Sequence, residues 1–161
     1  MWLFFVTLSC DQPKPDIDFA DHAVFTLNGQ LDNWTFGQGN YPQIFIFQDQ
    51  ETGTYIAMTQ FDEVMDTPNS EPELFSTMIA QLEGEGMSFS IAEQGPKTIG
   101  PYSGYFGRLD MAKNEEQVGG EFFLFCFKVK ETLLYFQGMS AGELGEAEES
   151  FVTFIEGIQA K

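Results

Sequence analysis

The chain has 161 residues, of which 43% are hydrophobic and 18 are Phe, so it is long and apolar enough to fold as one domain. Its 25 acidic and 7 basic residues give a formal net charge of -18 at pH 7, and no Lys or Arg occurs between Lys14 and Lys97. Nucleic acids and anionic lipid headgroups are bound through cationic side chains, so this charge disfavours both as direct partners.

The first ten residues, MWLFFVTLSC, form an uncharged apolar run that ends at the small residue Ser9 and then Cys10. The run is far shorter than the roughly 20 residues of a transmembrane helix. Its border with the polar segment that follows resembles a bacterial lipoprotein signal. The resemblance implies removal of the residues before Cys10 and attachment of diacylglycerol to its thiol, which would anchor the protein to a membrane. A truncated secretory signal and a buried first strand are the alternatives.

The polar, Pro-interrupted stretch after this run separates it from the rest of the chain. We predict a lipoprotein-like signal at residues 1–10, an acidic spacer at 11–21 and a single domain at 22–161. The spacer holds Asp16, Asp18 and Asp21, whose oxygen ligands could attract calcium. Because it lacks the central Gly and terminal Glu of an EF-hand loop, we interpret it as a solvated acidic segment.

The domain begins with strand patterns. HAVFTL predicts the first strand, and GQLDNWTFGQGNYP predicts a long Gly-rich loop. QIFIFQD and TYIAMTQF combine β-branched and aromatic residues and are separated by turn residues. This pattern predicts a β-hairpin.

The first helix has clear signals at both ends. Ser70 and Glu73 form a capping box, and Pro72 lies in the first turn, where a missing N–H is tolerated. Gly84 supplies the end of the helix. One face is apolar at helical spacing: Leu74, Phe75, Met78, Ile79 and Leu82.

Four strand candidates follow: MSFSIAE, TIGPYSGYFGRLD, GEFFLFCFKV and TLLYFQGM. The last two are close enough for a hairpin around Lys130 to Thr132. Because they are apolar on both faces, they predict central strands covered by helices on both sides. Cys126 lies in this apolar run, so we expect an inert, buried thiol.

A second helix is predicted to open at Ser140, with Glu143 completing a capping box. Glutamates are concentrated in its first half, and Lys161 lies at its end. This distribution of charge is favourable for the helix dipole, so we prefer a structural role for the glutamates over a metal site. One stripe of this helix is apolar: Leu144, Ala147, Phe151, Phe154, Ile155 and Ile158.

These elements predict an α+β fold, with a mainly antiparallel sheet of six or seven strands packed with two main helices as an α/β/α sandwich. From Met87 to Ile158, the SFSI strand, the IGPYSGYFG segment, the FFLFCFKV and LLYFQG hairpin and the closing SFVTFIEGI resemble the Mog1/PsbP-like superfamily. The resemblance implies a binding or assembly role, as in photosystem accessory subunits and a partner of a small nuclear GTPase. It brings no ligand residues with it.

No catalytic motif is present. The sole histidine, His22, follows the spacer, and GxSxG, HExxH and CxxC patterns do not occur. Acid–base chemistry would fall to carboxylates, which form no recognisable pair. We therefore expect a non-enzymatic protein without a cofactor or metal, and a small carboxylate-dependent hydrolase is the lesser alternative.

Two Gly-rich segments hold the candidate partner-binding residues, because Tyr, Trp and Arg are enriched at interface hot spots and loops often have functional roles. The candidates are Trp34, Phe36 and Tyr41 in NWTFGQGNYP and Tyr102, Tyr105, Phe106 and Arg108 in GPYSGYFGR. The alternative is that these aromatic side chains close the ends of the sheet, and that Arg108 makes an internal salt bridge.

The preferred hypothesis is a lipoprotein domain of the bacterial cell envelope, facing the periplasm or the cell exterior, that binds an unidentified protein partner. Its lipid would be its only contact with the membrane. A soluble intracellular interaction module of the Mog1 type, without a lipid, is the alternative. The oligomeric state is left open.

Overall fold

The structure is a computed structural model, and it describes residues 24–28, 31, 33–38, 44–61, 70–112, 119–140 and 146–161. The predicted lipidation site Cys10, the spacer, His22 and the candidate residue Tyr41 lie outside these ranges. None of the described helices has the length and apolarity that a bilayer crossing needs.

Nine strands and two helices are present in the described ranges. They are β1 (Phe25–Leu27), β2 (Trp34–Gln38), β3 (Ile44–Asp49), β4 (Tyr55–Phe61), α1 (Glu71–Gly84), β5 (Phe89–Ile99), β6 (Tyr102–Met111), β7 (Gly120–Val129), β8 (Thr132–Ser140), α2 (Glu146–Glu156) and β9 (Ile158–Ala160). Seven strands form one antiparallel sheet in the order β2-β3-β4-β8-β7-β6-β5, and β1 pairs with β9 as a second, small sheet. The predicted α+β class and strand number are confirmed.

The two helices lie on opposite faces of the large sheet. Side chains alternate along β7, so that Phe123 and Phe125 belong to the cluster around α2, whereas Leu124 and Cys126 belong to the cluster around α1. From Glu121 to Phe127, the residues on both faces of this strand are buried. The prediction of central strands covered on both sides is therefore confirmed, and the molecule is an α/β/α sandwich.

Helix α1 begins as predicted. The Ser70 side chain accepts a hydrogen bond from the Glu73 backbone N–H at 3.4 Å, and Pro72 occupies the first turn. The helix ends at Gly84. Its close approach to the sheet depends on Gly107, because a Cβ built there would lie 2.2 Å from the Phe75 ring.

The second helix ends earlier than predicted, and the first turn predicted after Ser140 falls outside the described ranges. Ser140 is the last residue of β8, and α2 begins at Glu146, while the predicted cap residue Glu143 lies outside the described ranges. Ile158 belongs to β9 and pairs with Leu27 of β1. The spacing of apolar residues did not distinguish the end of the helix from the short strand that follows it, because that strand forms by pairing with the distant strand β1.

Two further predictions of strand boundaries were wrong. The segment predicted as a long loop contains the edge strand β2, which pairs with β3. The candidate TIGPYSGYFGRLD is divided by a turn at Gly100, whose φ of +55° favours glycine, so that its first residues end β5 and the rest form β6. The predicted β3–β4 and β7–β8 hairpins are confirmed.

Candidate functional site

The two described candidates on β2 have different surroundings. Trp34 is half-buried, and its ring lies 4.8 Å from that of Phe154 on α2. Phe36 pairs with Phe47 of β3 and is 52% exposed. Residues two apart on a strand share a face. Trp34 therefore fixes the strand against the core, and Phe36 presents an apolar ring at the same edge of the sheet.

The candidates of the second segment lie on a strand, and they are not brought together as a loop. Tyr102 stacks on Phe127 at 4.5 Å and donates a hydrogen bond to the Ile158 carbonyl at 2.9 Å, and burial raises the pKa of its phenol. Phe106 is fully buried on the same face. Tyr105 lies on the other face, 5.1 Å from the Phe75 ring. These aromatic residues mainly complete the core.

Arg108 belongs to an ion network on the α2 side. Its Nη1 lies 3.3 Å from Glu148 of α2, and Lys97 Nζ lies 3.1 Å from the other oxygen of the same carboxylate. Lys97 also lies 3.4 Å from Glu93 and 3.8 Å from the centre of the Phe106 ring. The internal salt bridge that was the alternative for Arg108 is therefore present, and it ties α2 to β5 and β6.

A polar cluster fixes the β3–β4 turn to α2. Asp49, 6% exposed, accepts hydrogen bonds from Ser150 at 2.7 Å, from Thr52 at 2.8 Å and from the Glu51 backbone N–H at 2.9 Å. Burial alone would raise the pKa of Asp49, but these hydrogen bonds to the charged form outweigh burial and lower it. The carboxylate is thus ionised and structurally engaged.

Cys126 is a fully buried core residue. Burial, assisted by the charge of Glu71, raises the pKa of its thiol well above the usual range. The predicted burial of Cys126 in the core is confirmed. Within the described ranges, no three His, Cys, Asp or Glu side chains converge as a metal site.

The sequence did not predict a region on the α1 side of the sheet that none of the described helices and strands covers. Helix α1 lies on β6 and β7, so that Leu124 is fully buried, whereas Ile46 and Ala57 in the same cross-strand row are only half-buried. In the next row, Met139 is 46% exposed. We call this region the open half-face, and it consists of Ile44, Ile46, Tyr55, Ala57 and Met139 on β3, β4 and β8.

A signal for this region existed in the sequence. Both alternating sets of residues in IFIF of β3 and YIAM of β4 are apolar, which indicates strands with two apolar faces. A single helix on the α1 side covers only part of such a sheet.

No family model and no curated protein matches this chain. Solved structures do match. The solution structure of cyanobacterial PsbP (CyanoP) from Synechocystis sp. PCC 6803 has a TM-score of 0.52 at 9% identity, over 86% of this chain and 87% of that one. The fold is PsbP-like. A crystal structure from Bacteroides thetaiotaomicron VPI-5482 has a TM-score of 0.50 at 14% identity, over 86% of this chain. This chain spans 45% of the Bacteroides chain.

Proposed function

We propose that this protein is a non-catalytic binding or assembly domain, tethered to the bacterial envelope through a lipid on Cys10 and facing away from the cytoplasm. The signal-like segment before Cys10 and the spacer after it support the tether. The resemblance of residues 87–158 to the Mog1/PsbP-like superfamily, which implies a binding or assembly role, supports the binding role, and the PsbP-like fold agrees with that resemblance. The observation on which the binding role rests is the exposure of Phe36.

Phe36 is a large apolar side chain that is 52% exposed at an edge of the sheet. Full burial of a Phe side chain is worth about 1.5 to 3 kcal/mol, so a partner that covers this ring gains affinity. Trp34 holds the strand against α2, so the ring is presented on a fixed support. A fixed aromatic anchor loses little conformational entropy when it binds.

The tether is tested by the intact mass of the protein after expression in a bacterium from its native start. We expect loss of the residues before Cys10 and addition of a diacylglycerol group, together with recovery in the membrane fraction. Cys10→Ser is the control, and it should leave the chain unprocessed. A wild-type product that keeps Met1 and stays out of the membrane fraction would contradict the tether and favour the Mog1-type intracellular module.

The binding role is tested by crosslinking and co-purification from envelope extracts with matched variants. Phe36→Ala should weaken capture of the partner by roughly four- to tenfold, since the ring is 52% exposed and a partner can therefore gain about half of the value for full burial. Ile91→Ala is the control, because Ile91 is 44% exposed on β5 at the opposite edge of the sheet. Equal capture by both variants and the wild type would refute a role for Phe36.

A further inference from the structure

The open half-face has the width of one helix. It extends from the edge strand β2 across β3 and β4 to the Met139 end of β8, a distance of three strand spacings, whereas Leu133 and Tyr135 of β8 are buried in the cluster around α1. At about 4.8 Å each, these spacings give roughly 14 Å, and an α-helix with its side chains is about 10 to 12 Å across. On the same face, α1 already covers β6 and β7. One more helix beside α1 would cover the remaining strands.

The floor of this region is shallow and uncharged at its centre. Gly37, Ile46, Ala57 and Gln137 form one cross-strand row. A Cβ built on Gly37 would meet nothing within 4 Å, so the space above that end of the row is open. Gly37 and Ala57 are the small residues of this row, and they leave room for the side chains of a helix that lies on the floor.

The acidic residues near the floor favour an occupant with positive charge. Helix α1 includes Glu71, Glu73 and Glu83 and has no basic residue. The charge of Glu85, which caps its end, acts on Tyr135 of β8, and Tyr135 lies in the cross-strand row of Ile44 at the border of the open half-face. The chain has no Lys or Arg between Lys14 and Lys97, so β2, β3, β4 and α1 together contribute no cation. Lys128 of β7 shares this face, but it lies at the β7–β8 turn, beyond the buried residue Cys126. An occupant with Lys and Arg beside its apolar stripe is therefore favoured.

We propose that the open half-face binds an amphipathic helix of a partner protein, with its apolar stripe on the floor and its Lys and Arg side chains beside the glutamates of α1. The proposal rests on the proposed binding role, but it uses the face of the sheet opposite to Phe36. A second copy of this chain is a poorer occupant, because two acidic surfaces would repel each other at the rim.

The probe is a synthetic peptide of about 18 residues made of Leu and Lys, with Leu at i, i+3, i+4 and i+7 so that it forms an amphipathic helix. Its binding to the full chain is measured by calorimetry, and its site is mapped by backbone amide chemical shifts. We expect the shifts to concentrate on the open half-face. Raising the salt from about 50 to about 500 mM should weaken the binding, because the flanking charges are screened.

Ala57→Arg places a cation and a long side chain in the centre of the floor, and it should raise the dissociation constant by about tenfold or more. Ser90→Arg makes the same change of charge on an exposed residue of β5, and it should raise the constant by less than about threefold. Met139→Lys, at a residue that is 46% exposed, replaces the test variant if Ala57→Arg unfolds the protein. Phe36→Ala should leave this binding unchanged, which separates the two surfaces.

Three outcomes would overturn the proposal. Equal weakening by Ala57→Arg and Ser90→Arg would show attraction without a defined site. Equal or tighter binding of a peptide with the same composition but strictly alternating Leu and Lys would show a preference for an extended strand. Sedimentation of the wild type as a dimer that Ala57→Arg dissociates would show that a second copy occupies the face. In each case the Phe36→Ala experiment still tests the proposed function by itself.

Discussion

The two faces of the sheet are covered to different extents. On the α2 side, buried Phe residues extend from Phe45 and Phe47 on β3 to Phe106 on β6. On the α1 side, burial is complete under α1 and falls toward β3 and β4, where Ile46 and Ala57 are half-buried. The α2 side has a second covering element, because β1 and β9 add to α2. The coverage by helices and strands, and not the hydrophobicity of the sheet, thus decides which apolar residues become core.

A large truncation on each face is the strongest test of this difference. Phe154→Ala should lower the free energy of unfolding by about 3 to 5 kcal/mol, since the ring contacts Trp34 and Phe47 and its removal leaves a cavity. Ile46→Ala, on the open half-face, should cost less than about 1.5 kcal/mol because the residue is only partly removed from water. Urea unfolding measures both. Equal losses would show that the two faces are covered alike.

Glycine substitutions on the α1 side test where α1 lies. Gly107→Ala should cost about 1 to 3 kcal/mol, because its Cβ would lie 2.2 Å from the Phe75 ring and the helix would have to shift. Gly37→Ala is the matched control on the same face, where an added Cβ meets nothing within 4 Å. It should be neutral or slightly stabilising, by up to about 1 kcal/mol, since alanine restricts the unfolded chain. Thermal unfolding distinguishes the two, and a destabilised Gly37→Ala would contradict an uncovered floor.

The polar attachment of α2 should give the smallest effect. Ser150→Ala removes one hydrogen bond to the buried carboxylate of Asp49 and should cost about 1 kcal/mol at neutral pH. Because hydrogen bonding lowers the folded-state pKa of Asp49, its contribution is present above the unfolded value of about 3.9 and is lost as the pH falls through the folded value.

The difference between wild type and Ser150→Ala should therefore narrow below about pH 4 in urea unfolding followed as a function of pH. Thr52→Ala serves as the comparison, because the Thr52 hydroxyl donates to the same carboxylate oxygen from the turn and not from α2. A difference between wild type and Ser150→Ala that is constant across this range would show that the hydrogen bond does not depend on the charge of Asp49.

Most of the local structure was predictable because it depends on residues close in sequence. The Ser70 capping box, the two hairpins and the two-sided burial of β7 all follow from short-range patterns. The end of α2 was not predicted, since Ile158 continues the apolar spacing of the helix but belongs to β9. The strand β9 was missed because its pairing partner, β1, lies at the other end of the domain.

The candidate site was less predictable than the fold. Exposed and buried aromatic side chains have the same sequence signal when they lie among glycines, so Phe36 and Phe106 were grouped although one is 52% exposed and the other fully buried. A register shift between Ile91 and Glu93 also changes which residues of β5 face α2, so simple alternation does not extend along this strand. It is this shift that places Lys97 beside Glu148.

The sequence by itself determined the class of the fold, the negative sign of the net charge, the positions of the strand turns and the start of the first helix. Each of these depends on composition or on neighbours within a few residues. Only the tertiary structure decided that α1 covers one half of the sheet and leaves the floor around Ala57 exposed, and that Phe36 lies outside the core. Those outcomes depend on where a helix of fixed width lies on a wider sheet, which is a property of long-range packing and not of any short segment.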